Sequence, residues 1–319
     1  MKSIDEKIAL SEAQWHKYRY ENAGVRESTG RLRSALKRSL SKRLRCLTHG
    51  IGRRLKRADF TPSYDESREN IVVSLTSTEG RIQRIFPTLY SLASQTRKPD
   101  LIVLWLGKDR SYKRSVISGI EGMGVTVRYR EDLGPNTKYH YAFREYGRDV
   151  VITVDDDIIY DSGMVEELYD TYLQHPDPVT ARRVHRIRFD RNRQPVSYSD
   201  WIWEYRDDVG PAHDLLATGV GGVLYPPSVM AQKCWENTDF LKVCPSCDDI
   251  WLKYCELSRG IKVCAVKDGG YDLDIMDQRS GKHSLSSGNV PGGRNDAAVR
   301  ACTEYFGYTK DLCEKMLEE

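Results

Sequence analysis

Residues 150–160, VVITVDDDIIY, constrain this chain more than any other stretch. Five β-prone residues without a charged break lead straight into Asp155, Asp156 and Asp157, and a second apolar pair follows. That is the pattern of a strand buried on both faces, as in a parallel sheet, ending on an acidic edge. Three adjacent aspartates repel one another, so the arrangement costs stability unless positive charge stands among them. Oxygen-rich clusters suit Mg²⁺ or Mn²⁺, which in turn hold substrate phosphates. In open α/β sheets, ligands bind beyond the carboxyl ends of the strands, where this triplet falls. A solvated acidic turn is the plainer alternative for an isolated Asp-Asp-Asp, and the surrounding chain must separate the two.

That surrounding chain alternates. IVVSLTS (71–77) has strand composition, and RIQRIFPTLYSLASQ (81–95) carries apolar residues at helical spacing until Pro99. LIVLWL (101–106) is a second strand, 115–124 a short helix, VTVRYR (125–130) a third strand, and 137–147 a helix leading into the acidic strand. A βαβ start of this kind implies an α/β fold with a parallel sheet and right-handed crossovers. No GxxxxGK[ST] loop occurs and no GxGxxG follows a strand, so ATPase and dinucleotide-binding readings lack their phosphate cradle.

Nothing in the 319 residues approaches the roughly 18–20 consecutive apolar residues of a membrane span, and the N-terminus lacks the apolar core of a signal peptide. A cytoplasmic protein is expected. Eight cysteines invite a disulfide framework, which the expected cytoplasmic location disfavours; Cys244 and Cys247 form a CxxC without a second close pair, so buried thiols are expected ahead of a zinc site.

The first 58 residues read as a separate unit. Residues 31–57 carry eleven Lys and Arg and no acidic residue, with Leu32, Leu36, Leu40, Leu44, Leu47, Ile51 and Leu55 at helical steps. A basic amphipathic helix is attracted to an anionic membrane surface. Packing on the rest of the chain, or on a second copy in a homo-oligomer, is the alternative. Nucleic acid is not expected as a partner, because the segment lacks aromatics that could stack bases.

Taken together, SLTSTEGRIQRIFPTLYSLASQTRKPDLIVLWL, EDLGPNTKY, VITVDDDIIY, GVGGVLYPP and CPSCDDIWLK resemble bacterial glycosyltransferases of GT-A fold, in the family-two-like group associated with capsule and lipopolysaccharide biosynthesis. The similarity covers about residues 70–290, with five motifs in order. It implies a GT-A domain over 59–294, beside the basic helical extension over 1–58 and a final helix over 295–319 that are read from the residues. The implied reaction is metal-dependent transfer of a sugar from a nucleotide-sugar donor to a glycan or lipid-linked acceptor. By the resemblance, Asp155 and Asp157 bind Mn²⁺ or Mg²⁺, with Asp155 and Asp156 toward the donor.

The chemistry asks for further groups. Negative charge builds on the departing diphosphate, so a cation near the metal is expected, and Lys138 in GPNTK is the candidate. Ser74, Thr76 and Arg81 are expected at the nucleotide pocket, and Gly221 and Gly222, with Gly219, leave room for a sugar against backbone. An inverting reaction needs a carboxylate to deprotonate the acceptor. Asp248 and Asp249, opening an apolar helix, could simply compensate the helix dipole, but they match the family's acidic motif, and Asp249 is the expected base. Trp201, Trp203 and Tyr225 are the expected acceptor-stacking residues; a core strand over WIWEY (201–205), alternating Trp201, Trp203 and Tyr205, explains the two tryptophans equally well. His283, in a Gly- and Ser-rich loop with Gln278, Ser284, Leu285 and Asn289, is a candidate third metal ligand. A nucleotidyltransferase acting on sugar phosphates, a retaining glycosyltransferase and a non-enzymatic adaptor are the alternatives. SLTSTEGRIQR makes a poor phosphate loop for the first of these, and an adaptor needs no acidic strand edge.

Overall fold

The structure, a computed structural model, describes residues 2–27, 60–207, 210–233, 235–267, 269, 274–275 and 293–317. The basic stretch 31–57 and His283, with Gln278, Ser284, Leu285 and Asn289, lie outside them.

Eleven strands are described: β1 (Ile71–Thr76), β2 (Leu101–Gly107), β3 (Thr126–Arg130), β4 (Val150–Thr153), β5 (Ile158–Ile159), β6 (Val179–Ala181), β7 (Val184–Arg186), β8 (Leu215–Ala217), β9 (Val223–Tyr225), β10 (Val263–Ala265) and β11 (Asp274–Ile275). Seven of them form the central sheet in the order β10-β6-β9-β4-β1-β2-β3. All neighbours pair parallel except β9, which runs antiparallel to both β4 and β6. The principal helices are α1 (Ile4–Glu27), α2 (Phe86–Ala93), α3 (Arg114–Glu121), α4 (Thr137–Glu145), α5 (Met164–Gln174), α6 (Asp248–Ser258), α7 (Arg294–Tyr305) and α8 (Leu312–Leu317).

The sheet is covered on both faces, which explains its uninterrupted apolar strands. Val72, Val103, Trp105 and Val151 face one layer and pack with Tyr139 and Phe143 of α4 and Ile250 and Trp251 of α6. Their sequence neighbours Val73, Leu104 and Ile152 face the other, against Leu89 and Leu92 of α2 and Val165 and Leu168 of α5. Each such fully buried side chain contributes about 1.5–3 kcal/mol, so the strands have no free face on which to slip register. This is the mostly parallel α/β architecture expected from the sequence.

Three local expectations change. The helix read over 81–95 is a 3-10 turn at Ile82–Arg84 followed by α2, because Pro87 in the first turn lacks the N–H needed to continue a helix. The single final helix is two, α7 and α8, separated by a turn in which Gly307 takes φ +76°. The alternating WIWEY segment is no strand; Ile202 makes an isolated bridge to Arg186.

α1 docks on the main body. Ile8 is buried, the Trp15 ring lies 4.6 Å beneath the Arg188 guanidinium, and Tyr18 stacks on Tyr205 at 6.0 Å. Lys7 Nζ donates to the Leu317 carbonyl at 2.6 Å, and Arg193 bridges Asp5 (3.1 Å) and Glu314 (2.8 Å). The compositional boundary at residue 58 is thus not the point where contacts begin.

Candidate active site

The carboxyl edge of the sheet gathers the chemistry. Val154 N–H still bonds to the Ser74 carbonyl at 3.0 Å, after which Asp155–Asp157 leave β4 beside the end of β1. The triplet then divides its roles. Asp156 turns inward, accepting the Ser77 hydroxyl at 2.5 Å and the Arg81 guanidinium at 2.5 Å, while its carbonyl accepts from Thr88 of α2 at 3.0 Å. Burial pushes its pKa up to about 6 despite Arg81. Asp155 and Asp157 stay one-third exposed, at 33% and 34%. Asp155 is set by its own N–H, which donates to the buried Tyr160 phenol at 2.9 Å. Asp157 takes Arg81 at 2.8 Å, so one guanidinium spans two carboxylates. Burial also raises the Asp157 pKa, against the pull of Arg81.

A second group of carboxyls arrives from α6. Lys138, at the start of α4 and only 7% exposed, places Nζ 2.7 Å from Asp155 Oδ1 and 3.0 Å from Asp248 Oδ2. Burial alone would lower its pKa, but Asp155, Asp248 and Asp249 outweigh that and hold it well above the usual lysine value. Asp249 Oδ1 accepts the Gly219 N–H at 3.1 Å. Neither acid is spent on capping; Cys247 occupies the N-cap and makes no side-chain capping bond. Burial, then repulsion from Asp248, pushes the Asp249 carboxyl well above the usual carboxylate range, with Lys138 opposing.

Gly219 reaches this edge because β9 runs backwards, so the loop before β9 opens where the loop after β4 does. A Cβ on Gly219 would stand 3.0 Å from Lys138 Nζ, 3.2 Å from Asp249 Oδ1 and 3.8 Å from Asp155 Oδ1. The other two glycines serve elsewhere, correcting the donor role expected of them. Gly221 admits the Arg183 backbone, whose Cβ a side chain would meet at 2.9 Å, and Gly222 takes φ +90° against Met164.

Ser74, Trp201 and Tyr225 are displaced from the site, whereas Thr76 and Trp203 keep partial exposure. Ser74 is fully buried, donating to the Lys138 carbonyl at 2.5 Å and accepting from Trp105 Nε1 at 2.8 Å; it braces α4 and does not line a nucleotide pocket. Thr76 is partly buried and bonds the Trp105 carbonyl at 3.0 Å. Tyr225 lies in the core against Phe143, and Trp201 is buried with its indole N–H on the Val196 carbonyl, so neither can stack on an acceptor. Trp203 keeps partial exposure. Cys244 and Cys247 are buried thiols, and hydrogen bonding to Cys244 together with burial raises the Cys247 pKa, which disfavours a thiolate. Sequence reasoning missed Ser77, Thr88 and Tyr160, which fix the triplet. The serine and threonine sit one residue beyond β1 and on the inner face of α2, positions a strand-end argument could have reached; Tyr160 carried no signal.

Among the described residues no three His, Cys, Asp or Glu side chains converge as a ready-made metal cage. The donor set still fits a divalent ion held jointly with a diphosphate, since Mg²⁺-type sites use one or two carboxylates plus substrate oxygens. Among the described residues, Asp156 and Asp157 pair with Arg81 and Asp155 and Asp248 pair with Lys138, and the partly exposed Asp155 and Asp157 flank the buried Asp156.

Residues 74–220, just under half of the chain, match the family described as Glycosyl transferase family 2. The match begins in β1 and ends at the Gly219 turn, taking in the acidic triplet and Lys138 and stopping short of Asp248 and Asp249. No curated protein sequence matches the chain. Among solved structures, glucosyl-3-phosphoglycerate synthase from Mycobacterium tuberculosis, in complex with Mn²⁺, uridine diphosphate and glucosyl-3-phosphoglycerate, aligns at 14% identity and a TM-score of 0.30 over 36% of this chain. This chain spans 44% of that protein. A 4-diphosphocytidyl-2C-methyl-D-erythritol synthase aligns at 9% identity and a TM-score of 0.39, covering 68% of this chain and 96% of its own.

Proposed function

We propose that this chain is a glycosyltransferase that moves a sugar from a nucleotide-sugar donor to a hydroxyl acceptor with inversion, Asp249 acting as the base. The observation that carries this reading is the convergence of Asp155, Asp248 and Asp249 around the single amine of Lys138, across more than ninety residues of sequence. A donor-side carboxylate and a second, protected carboxyl close by are what displacement at an anomeric carbon requires: one side holds the leaving diphosphate, the other takes the acceptor proton. Asp155 and Asp157 would hold Mn²⁺ or Mg²⁺, which when bound supplies a Lewis acid for the diphosphate. Arg81, 39% exposed, spans Asp156 and Asp157 and is the cation best placed to follow the diphosphate. Lys138 is too enclosed for that part and instead sets the spacing between donor-side and base-side carboxyls. Burial and Asp248 raise the Asp249 pKa, which strengthens that carboxylate as a proton acceptor.

A surface-polysaccharide acceptor, lipid-linked and met at the inner face of the cytoplasmic membrane through residues 31–57, completes the proposal. No helix among the described residues is long and apolar enough to cross a membrane. The test is a panel of nucleotide-sugars assayed for Mn²⁺-dependent hydrolysis and transfer, with the product anomer read by NMR. Asp157→Ala should abolish turnover while the fold persists, since removing like charge from a crowded site seldom unfolds a protein. Turnover unaffected by EDTA sinks the metal assignment, and a product with retained configuration removes Asp249 as acceptor base.

A further inference from the structure

Beside Asp249 the structure builds a second set of groups that the donor chemistry does not use. Arg183 follows the carboxyl end of β6 and is 17% exposed. Its Nε and Nη2 both reach Glu204 Oε1 at 3.2 Å, and Nη1 donates to Thr218 Oγ1 at 3.4 Å. Thr218 directly precedes Gly219, the residue that holds Asp249. Burial raises the Tyr198 pKa, with Asp249 adding to the rise and Arg183 opposing it.

Glu204 is held there at a conformational cost. Its φ is +54°, a left-handed conformation uncommon for a residue with a side chain, and its N–H donates to His185 Nδ1 at 3.1 Å. His185 can accept that bond because burial lowers its pKa to about 3, so the ring is neutral. The same ring stacks on Trp203 at 5.0 Å and 16°, and the Trp203 N–H is fixed to the Tyr198 carbonyl at 3.0 Å. One buried imidazole therefore orients both a partly exposed indole and the carboxylate that meets Arg183.

Resting on the glycosyltransferase reading above, we propose that Trp203, Glu204 and Arg183 form the acceptor subsite and that it selects an uncharged sugar. The apolar face of a pyranose packs on an indole, while the Glu204 carboxylate and Arg183 guanidinium take adjacent hydroxyls as acceptor and donor. An anionic acceptor fits poorly. The Glu204 carboxylate already meets Arg183 at 3.2 Å and lies 3.9 Å from Arg206, and it would repel a phosphate or carboxylate brought to the same guanidinium.

The experiment uses saturation-transfer NMR on the full chain with the methyl glycosides of glucose, galactose and mannose, set against glucuronate and glucose 6-phosphate. UDP and GDP binding with Mn²⁺ is followed by calorimetry in parallel. At least one neutral glycoside should bind, and Glu204→Gln and Trp203→Ala should each weaken it by about tenfold or more with nucleotide binding unchanged. Glu204→Gln keeps shape and backbone, so it remains decisive if the tryptophan variant unfolds. Tighter binding of the anionic sugars, equal binding by wild type and Glu204→Gln, or no glycoside binding by a protein that binds nucleotide overturns the subsite. Failure of either nucleotide to bind wild type while the glycoside contact survives and responds to Glu204→Gln counts against the donor reading and leaves the subsite standing.

Discussion

Replacing Lys138 by Met removes the one cation that holds Asp155 and Asp248 together while keeping most of the side-chain volume. Truncating one partner of a buried ion pair costs about 3–5 kcal/mol, because the remaining charge stays desolvated. Asp155, one-third exposed, can recruit water, whereas Asp248 is nearly enclosed at 12%. The expected loss therefore lies near the lower bound, about 3 kcal/mol, which for a domain of this size lowers Tm by about 6 °C. Thermal unfolding of Lys138→Met, Asp248→Asn and the double variant at pH 7 measures it. Once Asp248 is neutral, less charge is stranded by losing Lys138, so the double variant should be more stable than the sum of the single effects by about 1 kcal/mol or more. Strict additivity, or an unchanged Tm for Lys138→Met, refutes the bridging role.

Asp249→Asn should cut transfer on the order of a hundredfold or more with donor binding nearly unchanged, and a collapse of donor affinity would move Asp249 to the donor side. Since the Asp249 pKa is raised, wild-type kcat/KM should fall on acidification well above the ordinary carboxylate range; Asp248→Asn removes a like charge and should shift that acid limb to lower pH, and an unmoved limb counts against Asp249 as the titrating base. Gly219→Ala should lower turnover while largely preserving Tm, because its Cβ crowds Lys138 Nζ and Asp249 Oδ1, whereas Gly221→Ala should lower Tm by pressing on the Arg183 backbone; the reverse pattern refutes the assignment. Full-length protein should sediment with anionic vesicles at low salt and release as salt rises. Exchanging the eleven basic residues of 31–57 for Gln should abolish this, a cleaner test than truncation, which also strips α1 from the core; sedimentation that survives the exchange ends the membrane reading.

The sheet was legible in sequence as far as β4, because strands buried on both faces are apolar without alternation and helices between them keep their own period. The same property hid the facing of individual residues. Ser74 and Thr76 stand two apart on one strand face, yet which layer that face meets depends on the crossovers, and for Ser74 it is the interior beneath α4. The acidic pair was legible as chemistry but not as geometry, since its link to Asp155 runs through Lys138 and is nonlocal. The glycines advertised missing side chains without saying what occupies the space, and only Gly219 proved to face the carboxyls. Trp201 and Tyr225 show the limit of aromatic counting, because stacking platforms and core fillers have the same composition.

The reversed strand β9 also ties competence to long-range closure. β1, β2 and β3 pair with their sequence neighbours, whereas β4 returns to β1 (Ile71 beside Val150) and β9 returns to β4 (Val151 beside Tyr225), with β6 on the far side of β9. Closing those longer loops is the slow part of assembling such a topology. Under the proposed function, a chain that has not closed β9 onto β4 would carry the acidic triplet without Gly219 and Asp249 in place, and its destruction of donor would be confined to slow reaction with water.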